Sequence, residues 1–381
     1  MPEEIQIVPL PRHASGVRRF LNVGGGIYRD DPHWVAPLWM DMKKVFSAGN
    51  PLFQHAEMQL WVAVRGGKDV GRIAGIVDAE HNRVQRDCAA FFGFFESQND
   101  PAIARKLVAC VENWARHKGL QRILGPMNPT ANDECGVLID GFNAPPVLMM
   151  TYNPPWYGPL LEHAGLRKAK DLLAYVLDIG RGPRERLEKL AARAKSRHPD
   201  LILRPITKKN LAADLGKIKT IYNAAWEKNW GFVPMSDGEI DFMAARLKPL
   251  LSIELSWLLE IAGEPAGFLL ILPDFNVAFK PLRGRLLHGG LFKALPYLLN
   301  WKRPEMIRVL TLGVIEKFRG AGLESVLLAE GLRAAADAGF TRAEASWVLE
   351  DNLMMNRIME VFGGTVYKTY RIYDKPLETT G

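Results

Sequence analysis

Cysteine is scarce in this chain: three residues in 381, Cys88, Cys110 and Cys135. Their number is odd, their spacing is irregular, and no CxxC occurs. That excludes a disulfide framework and points to a reducing, cytoplasmic compartment. The eight histidines form no HExxH and share no zinc-type spacing with the cysteines, so no metal site is expected. No run reaches the roughly 18–20 apolar residues that span a bilayer. The acidic start, Met1-Pro2-Glu3-Glu4, lacks the apolar segment of a secretory signal. A cytoplasmic protein is expected, peripheral to the inner membrane at most. Long basic runs are missing as well. The net charge of +7 is spread along the chain, which argues against nucleic acid and for smaller anionic partners: phosphates, acidic carrier proteins or lipid headgroups.

What is present is enough chain for two domains, each able to bury a core. The expected fold class is α/β with a mixed sheet, built as two similar units: residues 1–180, a charged connector at 181–200, and residues 201–381. In the first unit, Trp61–Val64, Val70–Asp78 and Ala89–Phe95 read as strands, the first two joined by a glycine turn at Gly66-Gly67. A helix from Asp100 to Lys118 presents Ile103, Leu107, Val108, Val111 and Trp114 on one face. Arg122–Gly125 and Leu172–Asp178 read as further strands, separated by a short helix at Pro154–Ala164. Arg181–Arg197 reads as a solvated linker helix, with a basic docking face as the second reading.

The second unit repeats this order. A strand at Leu201–Pro205 precedes helices at about 210–230 and 236–250, then a hairpin, Ser256–Ile261 with Ala266–Leu272. Arg308–Val314 and Arg342–Val348 are strands, each followed by a helix, Gly322–Ala338 and Asn352–Phe362; Val366–Tyr373 closes the chain. Strands that alternate with helices give a mixed sheet covered on both faces.

The segment richest in chemistry is Leu312-Gly313-Val314-Ile315-Glu316-Lys317-Phe318-Arg319-Gly320-Ala321-Gly322-Leu323. A strand ends, a glycine-rich loop follows, and a long helix begins. Free backbone N–H groups at a helix N-terminus bind anions, glycine lets the backbone approach a phosphate, and Arg319 is placed to reach a second oxygen. The loop is neither a Walker A nor a Rossmann GxGxxG. A tight turn before an ordinary helix is the plainer reading.

This loop resembles the acyl-CoA pyrophosphate loop of the GNAT superfamily, Arg/Gln-x-x-Gly-x-Gly/Ala, with Arg319 and Gly322 at the first two fixed positions. Glu324 stands where the family has Gly or Ala. The stretch Ala345-Ser346-Trp347 through Asn352 to Gly363-Gly364 resembles the GNAT strand-Asn-helix-Gly ending, with Met359 where a leaving-group Tyr is common. The fuller pattern includes Tyr28-Arg29-x-Asp31-Pro32-x-Trp34, Asn132-Asp133-Glu134-Cys135-Gly136, Asp140-Gly141-Phe142 and Asn229-Trp230-Gly231-Phe232. It is similar to a bacterial tandem-GNAT family related to the bacterial ceramide synthases, which acylate the amine of a sphingoid base.

The resemblance implies an N-acyltransferase with acyl-CoA, or an acyl carrier protein, as donor and an amine, one candidate being a long-chain sphingoid base, as acceptor. Donor contacts would fall on Leu312, Gly313, Val314, Arg319, Gly320, Ala321, Gly322 and Asn352. Residues 1–180 would be a degenerate copy. Asp133 and Glu134 are candidate bases or amine-binding groups, or else turn and helix caps; Glu239, which opens the next helix, is a weaker carboxylate candidate. Tyr367, Tyr370 and Tyr373 are strand aromatics near the missing general acid. Met359 and Glu324 together suggest the alternative of a non-catalytic acyl-CoA or lipid-binding protein. Residues 274–303 form an insertion rich in Leu and Arg/Lys, suited to an interfacial helix, a lid over a lipid chain, or a buried amphipathic helix.

Overall fold

The computed structural model describes residues 3–180, 184–207, 209–227, 229–286 and 289–378. The first half contains β1 (Gln6–Leu10), α1 (Ala14–Ile27), α2 (Trp39–Val45), β2 (Ala56–Arg65), β3 (Lys68–Asp78), α3 (Ala79–Gln85), β4 (Ala89–Ser97), α4 (Pro101–His117), β5 (Arg122–Gly125), β6 (Met127–Asn128), β7 (Glu134–Cys135), β8 (Val137–Asp140), α5 (Tyr157–His163) and β9 (Arg167–Asp178). Then come α6 (Arg184–Arg197), β10 (Leu201–Pro205), α7 (Leu211–Ala225), α8 (Asp237–Leu247), β11 (Trp257–Ile261), β12 (Glu264–Pro273), α9 (Asn276–Phe279), α10 (Leu291–Leu298), β13 (Met306–Val314), α11 (Leu323–Asp337), β14 (Arg342–Leu349), α12 (Leu353–Val361) and β15 (Thr365–Pro376).

Local signals explain the best-defined elements. The Asp100 side chain accepts the Ala102 N–H and Pro101 fills the first turn, so α4 starts where its sequence says it should. Its apolar stripe, Ile103, Leu107, Val108 and Val111, is fully buried on the sheet. Strand β4 is buried along nearly its whole length because α4 covers one face and α1 the other. In the second half, α11 and α12 cover one face of the sheet and α7 the other.

The strands join into one 13-stranded mixed sheet, in the order β1-β2-β3-β4-β5-β15-β9-β14-β13-β12-β11-β10, with β8 also on β15. The end strands are exchanged. β9 runs antiparallel to β14, from Arg342↔Asp178 to Leu349↔Leu172. β15, the last strand of the chain, inserts between β5 and β9. Each half therefore completes the other's sheet.

The expected solvated connector behaves differently. Residues 181–183 lie outside the described residues, but α6 packs on α11 and buries Ala191 and Ala194 in the second-half core. Small side chains at these positions let a highly charged helix lie against its neighbour.

Candidate active site

β13 and β14 run parallel and in register only from Met306↔Arg342 to Val309↔Ala345. Beyond that they part, β13 continuing to Val314 and β14 to Leu349. The divergence starts at a bulge, where Leu310 is the extra residue between the pairs Ile271↔Val309 and Leu270↔Thr311. From Leu310 to Val314, the β13 edge that faced β14 has no strand partner among the described residues. Leu312, Gly313 and Val314, the expected carbonyl-contacting residues, lie on this opened stretch. Gly313 is required by packing: a Cβ there would lie 2.5 Å from Trp226, whose ring is tilted by 41° against that of Tyr222 at 4.9 Å.

The loop after β13 turns on two glycines in the left-handed region, Gly320 at φ 76° and Gly322 at φ 81°. Gly322 is the N-cap of α11, and no side chain caps the helix there. The approach at Gly320 is open, with nothing within 4 Å of a built Cβ. Arg319 donates Nε to Val314 O at 3.2 Å and an Nη to Ala225 O, tying the loop to the ends of β13 and α7. Ala321 is half-buried against the core. Glu324 is buried at the start of α11; burial raises its pKa, opposed by a hydrogen bond to its own N–H and by Arg319. Asn352 caps α12, accepting the Met355 N–H at 3.1 Å. Met359 is buried in the core and faces no opening.

The first half has the same divergence, but it is closed by its own chain. β4 and β5 pair from Ala89↔Arg122 to Phe91↔Leu124 and separate. Asn128 then accepts the Phe94 N–H, and a Cβ on Gly93 would lie 1.7 Å from Met127 O. The strand end beside it carries a satisfied network: Glu96 accepts from Tyr157 at 2.5 Å and from Arg72 at 3.2 Å.

The candidate bases separate clearly. Glu239 forms a capping box with Ser236 and meets His55 Nε2 at 3.2 Å. Asp133 accepts from Thr130 at 2.9 Å and lies 3.5 Å from Arg246, an ion pair between the halves. Glu134, half-buried on β7, has no side-chain hydrogen bond among the described residues. Burial raises its pKa to about 6 against the fields of Arg308 and Arg246, with Asp133 and Asp41 pushing the same way as burial.

Sequence reasoning missed the polar cluster that Glu134 faces. Arg308 on β13 is 2% exposed and Glu344, opposite it on β14, is fully buried. They approach only to 3.7 Å. Ser346 Oγ donates to Met150 Sδ at 3.0 Å, and Arg308 and the Ser346 hydroxyl both oppose the upward push of burial on Glu344. Both carboxylate oxygens, Arg308 Nε, Trp347 Nε1 and the hydroxyls of Tyr367 and Tyr370 are buried without a hydrogen-bond partner among the described residues. The Arg308 guanidinium lies 5.3 Å over Trp347, whose ring meets Tyr370 edge-on at 6.2 Å. Burial pushes the Glu344 and Tyr370 pKa values up, and the Arg308 charge opposes the push in both cases. Lys368 donates to Ala144 O and Pro145 O at 2.9 and 2.8 Å, and burial lowers its pKa to about 8. Asp274 accepts from the Leu148 and Asn276 amides, and burial lifts it to about 6. Native interiors leave few polar groups unpaired, so this convergence marks a place where polar atoms of a ligand or water belong. A signal existed in the sequence: Arg308 is the one charge in β13, and Glu344 is the one acid in β14. Tyr373 is unlike the other two tyrosines, since its ring lies in the first-half core and its hydroxyl donates to the exposed Glu162 at 3.1 Å.

No family model matches the chain. Over 382 residues it is 36% identical to the bacterial ceramide synthase of Caulobacter vibrioides (strain NA1000 / CB15N), covering 98% of each chain. It is 33% identical over 370 residues to protein YghO of Escherichia coli K12, covering 95% of this chain and 93% of that one. Among solved structures, a tandem GNAT protein from the clavulanic acid biosynthesis pathway superposes with a TM-score of 0.58 at 12% identity, over 99% of this chain and all of that one. A GCN5-related N-acetyltransferase from Sphaerobacter thermophilus gives 0.51 at 13% identity, over 98% and 96%. At such identities these two structures speak for the fold alone.

Proposed function

The chain belongs to the tandem-GNAT family that includes the bacterial ceramide synthase of Caulobacter vibrioides, and from that premise we propose how its residues acylate an amine. It is a GNAT-type N-acyltransferase. The donor is an acyl thioester, with acyl-CoA as the first choice and an acyl carrier protein as a variant of it. The acceptor is a long-chain amine of the sphingoid-base class, as the name of the Caulobacter relative suggests. The reaction is placed in the cytoplasm, where the three free cysteines stay reduced.

The observation that carries this reading is the opened edge of β13 beside a cluster of unpaired buried polar atoms. In the proposed arrangement, the donor runs along Leu310–Val314, where backbone N–H groups polarise the thioester carbonyl. Its phosphates meet the uncapped start of α11 at Gly320–Gly322. Arg319 holds that loop in shape through Val314 and Ala225. Glu134 takes a proton from the acceptor ammonium. The neutral amine attacks the carbonyl carbon, the C–N bond forms and the C–S bond breaks. The thiolate leaves and takes a proton from Tyr367 or Tyr370, whose free hydroxyls fill the role that Met359 cannot, and the second amine proton returns to that phenolate as the amide forms. Glu344 and Arg308 receive the polar end of the acceptor. These hydroxyls also weigh against a binding-only protein, a reading that rested on Met359 and Glu324.

The test is release of free thiol by the purified protein from acyl-CoA donors of different chain length, with and without a sphingoid amine. Amine-dependent release with long-chain donors is the expected result. No release with any CoA donor, but release from acyl carrier protein, would move the donor assignment. Release that ignores the amine would remove the acceptor assignment.

A further inference from the structure

Between β12 and β13, the stretch from residue 280 to 303 carries charge of one sign only. From residue 280 to 303 there are six basic residues, Lys280, Arg283, Arg285, Lys293, Lys302 and Arg303, and no acidic one. None of them forms an ion pair among the described residues. Interleaved with them are large apolar side chains left in solvent: Phe292 at 83% exposed, Trp301 at 75%, and Leu286, Leu298 and Leu299 at 39–47%. Met40, at 60%, belongs to the same region, since Trp39 N donates to Gly284 O. Single exposed apolar residues need no explanation, but a cluster rimmed by one sign of charge does.

We infer that this face docks on an anionic lipid bilayer. Two independent features support it. The first is charge complementarity: an uninterrupted basic set beside exposed Phe, Trp and Leu is the pattern of helices that lie in the headgroup layer. The second is what stands beneath. α10 buries Ala294 against Ala278 and Leu282, next to Phe275 and Phe279. Those two rings, stacked at 6.3 Å, also pack with Leu148, Leu272 and Leu310. Leu310 is the bulge residue at which β13 and β14 part. An unbroken apolar seam thus runs from the exposed face to the opened strand edge. Docking would set the lipid chains at one end of that seam and the reaction centre at the other. The docking stands on its own observations; the use of the seam by a lipid substrate rests on the proposed acyl transfer.

The experiment is sedimentation of the full chain with sucrose-loaded vesicles of phosphatidylcholine alone and of phosphatidylcholine with phosphatidylglycerol. Binding to the anionic vesicles only, weakened by added salt, is expected. Lys293→Glu with Lys302→Glu should lower partitioning by at least about fivefold per site. Phe292→Glu with Trp301→Glu should lower it further at constant charge on the lipid. All four side chains are exposed, so circular dichroism should show unchanged folding. Absence of wild-type binding at low salt, or binding that ignores both double variants, overturns the inference. So does a dimer that the Phe292/Trp301 variant abolishes without vesicle binding, which would assign the face to a second copy. No outcome depends on turnover, so failure here leaves the proposed reaction to its own test.

Discussion

A carboxylate that is half-buried and unpaired keeps its proton to higher pH, and this sets what Glu134 can do. With its pKa raised to about 6, it is largely ionised at neutral pH and still basic enough to accept a proton. Turnover should therefore rise with pH through about 6 and then level off. Glu134→Gln should lower kcat/KM by about 10²–10⁴-fold and abolish that acidic limb, measured as a pH–rate profile. Asp133→Asn should keep the limb, because Asp133 is engaged by Thr130 and Arg246. The Arg308–Glu344 pair gives a second expectation. Removing Arg308 alone leaves a fully buried acid without its counter-charge, and Arg308→Met should cost roughly 3–5 kcal/mol. Arg308→Met combined with Glu344→Gln should be less destabilised than Arg308→Met alone, as urea midpoints at neutral pH will show. Additive losses would mean that the two side chains do not sense each other.

At the scale of elements, the two halves use the same strand divergence in opposite ways, and glycine decides which. In the first half, Gly93 lets the backbone at Met127 press against β4, and Asn128 seals the edge. In the second, Gly313 admits the side chains of Trp226 and Phe268 and the edge stays open. Gly313→Ala should cost about 1–3 kcal/mol through overpacking, and Trp226→Phe in the same chain should recover part of it, because the nearer of the two rings it meets is that of Trp226. Gly93→Ala should have no such rescue, because the obstacle is a carbonyl oxygen. Thermal melts of the three variants would decide it. Much of this level was legible in the sequence. The strand–loop–helix at Arg319–Gly322 and the helix at 101–117 announce themselves through glycine, proline and apolar spacing. What could not be read was contact between distant segments. Glu239 reads as a free carboxylate, yet Ser236, three residues earlier, makes it half of a capping box that also holds His55. Asp133 and Glu134 are adjacent in sequence, and their roles separate through Thr130 and through Arg246, over a hundred residues away, which pairs with Asp133. The alanines of α6 were visible, but not the helix they pack on.

The whole molecule is bound by its exchanged strands. The repeat of element order allowed two similar units to be read from the sequence, because local pattern reports which segments are strands. Pattern does not report which strand lies beside which. β15 pairs with β5 and β9, and β9 pairs with β14, so the sheet of residues 1–180 contains the end of the chain. Lys368 and Arg371 reinforce the join, through Ala144 and Pro145 in one case and through Asp171 at 2.8 Å in the other. Units that complete each other's sheets cannot open independently without leaving a long strand edge unpaired in a buried layer. The two halves should therefore unfold in one transition, with tryptophan fluorescence and far-ultraviolet circular dichroism coincident in urea. Ending the chain after Gly364 removes β15, and the loss should reach back to β4 and β5. Hydrogen exchange at Ala89–Ser97 and Arg122–Gly125, far away in sequence, should then lose its protection. A truncated chain that keeps protected amides in those strands would show that the first half stands alone and that the exchange only joins two finished units. Full loss would mean that the proposed reaction centre, on β7, β13, β14 and β15, forms only when β15 is in place.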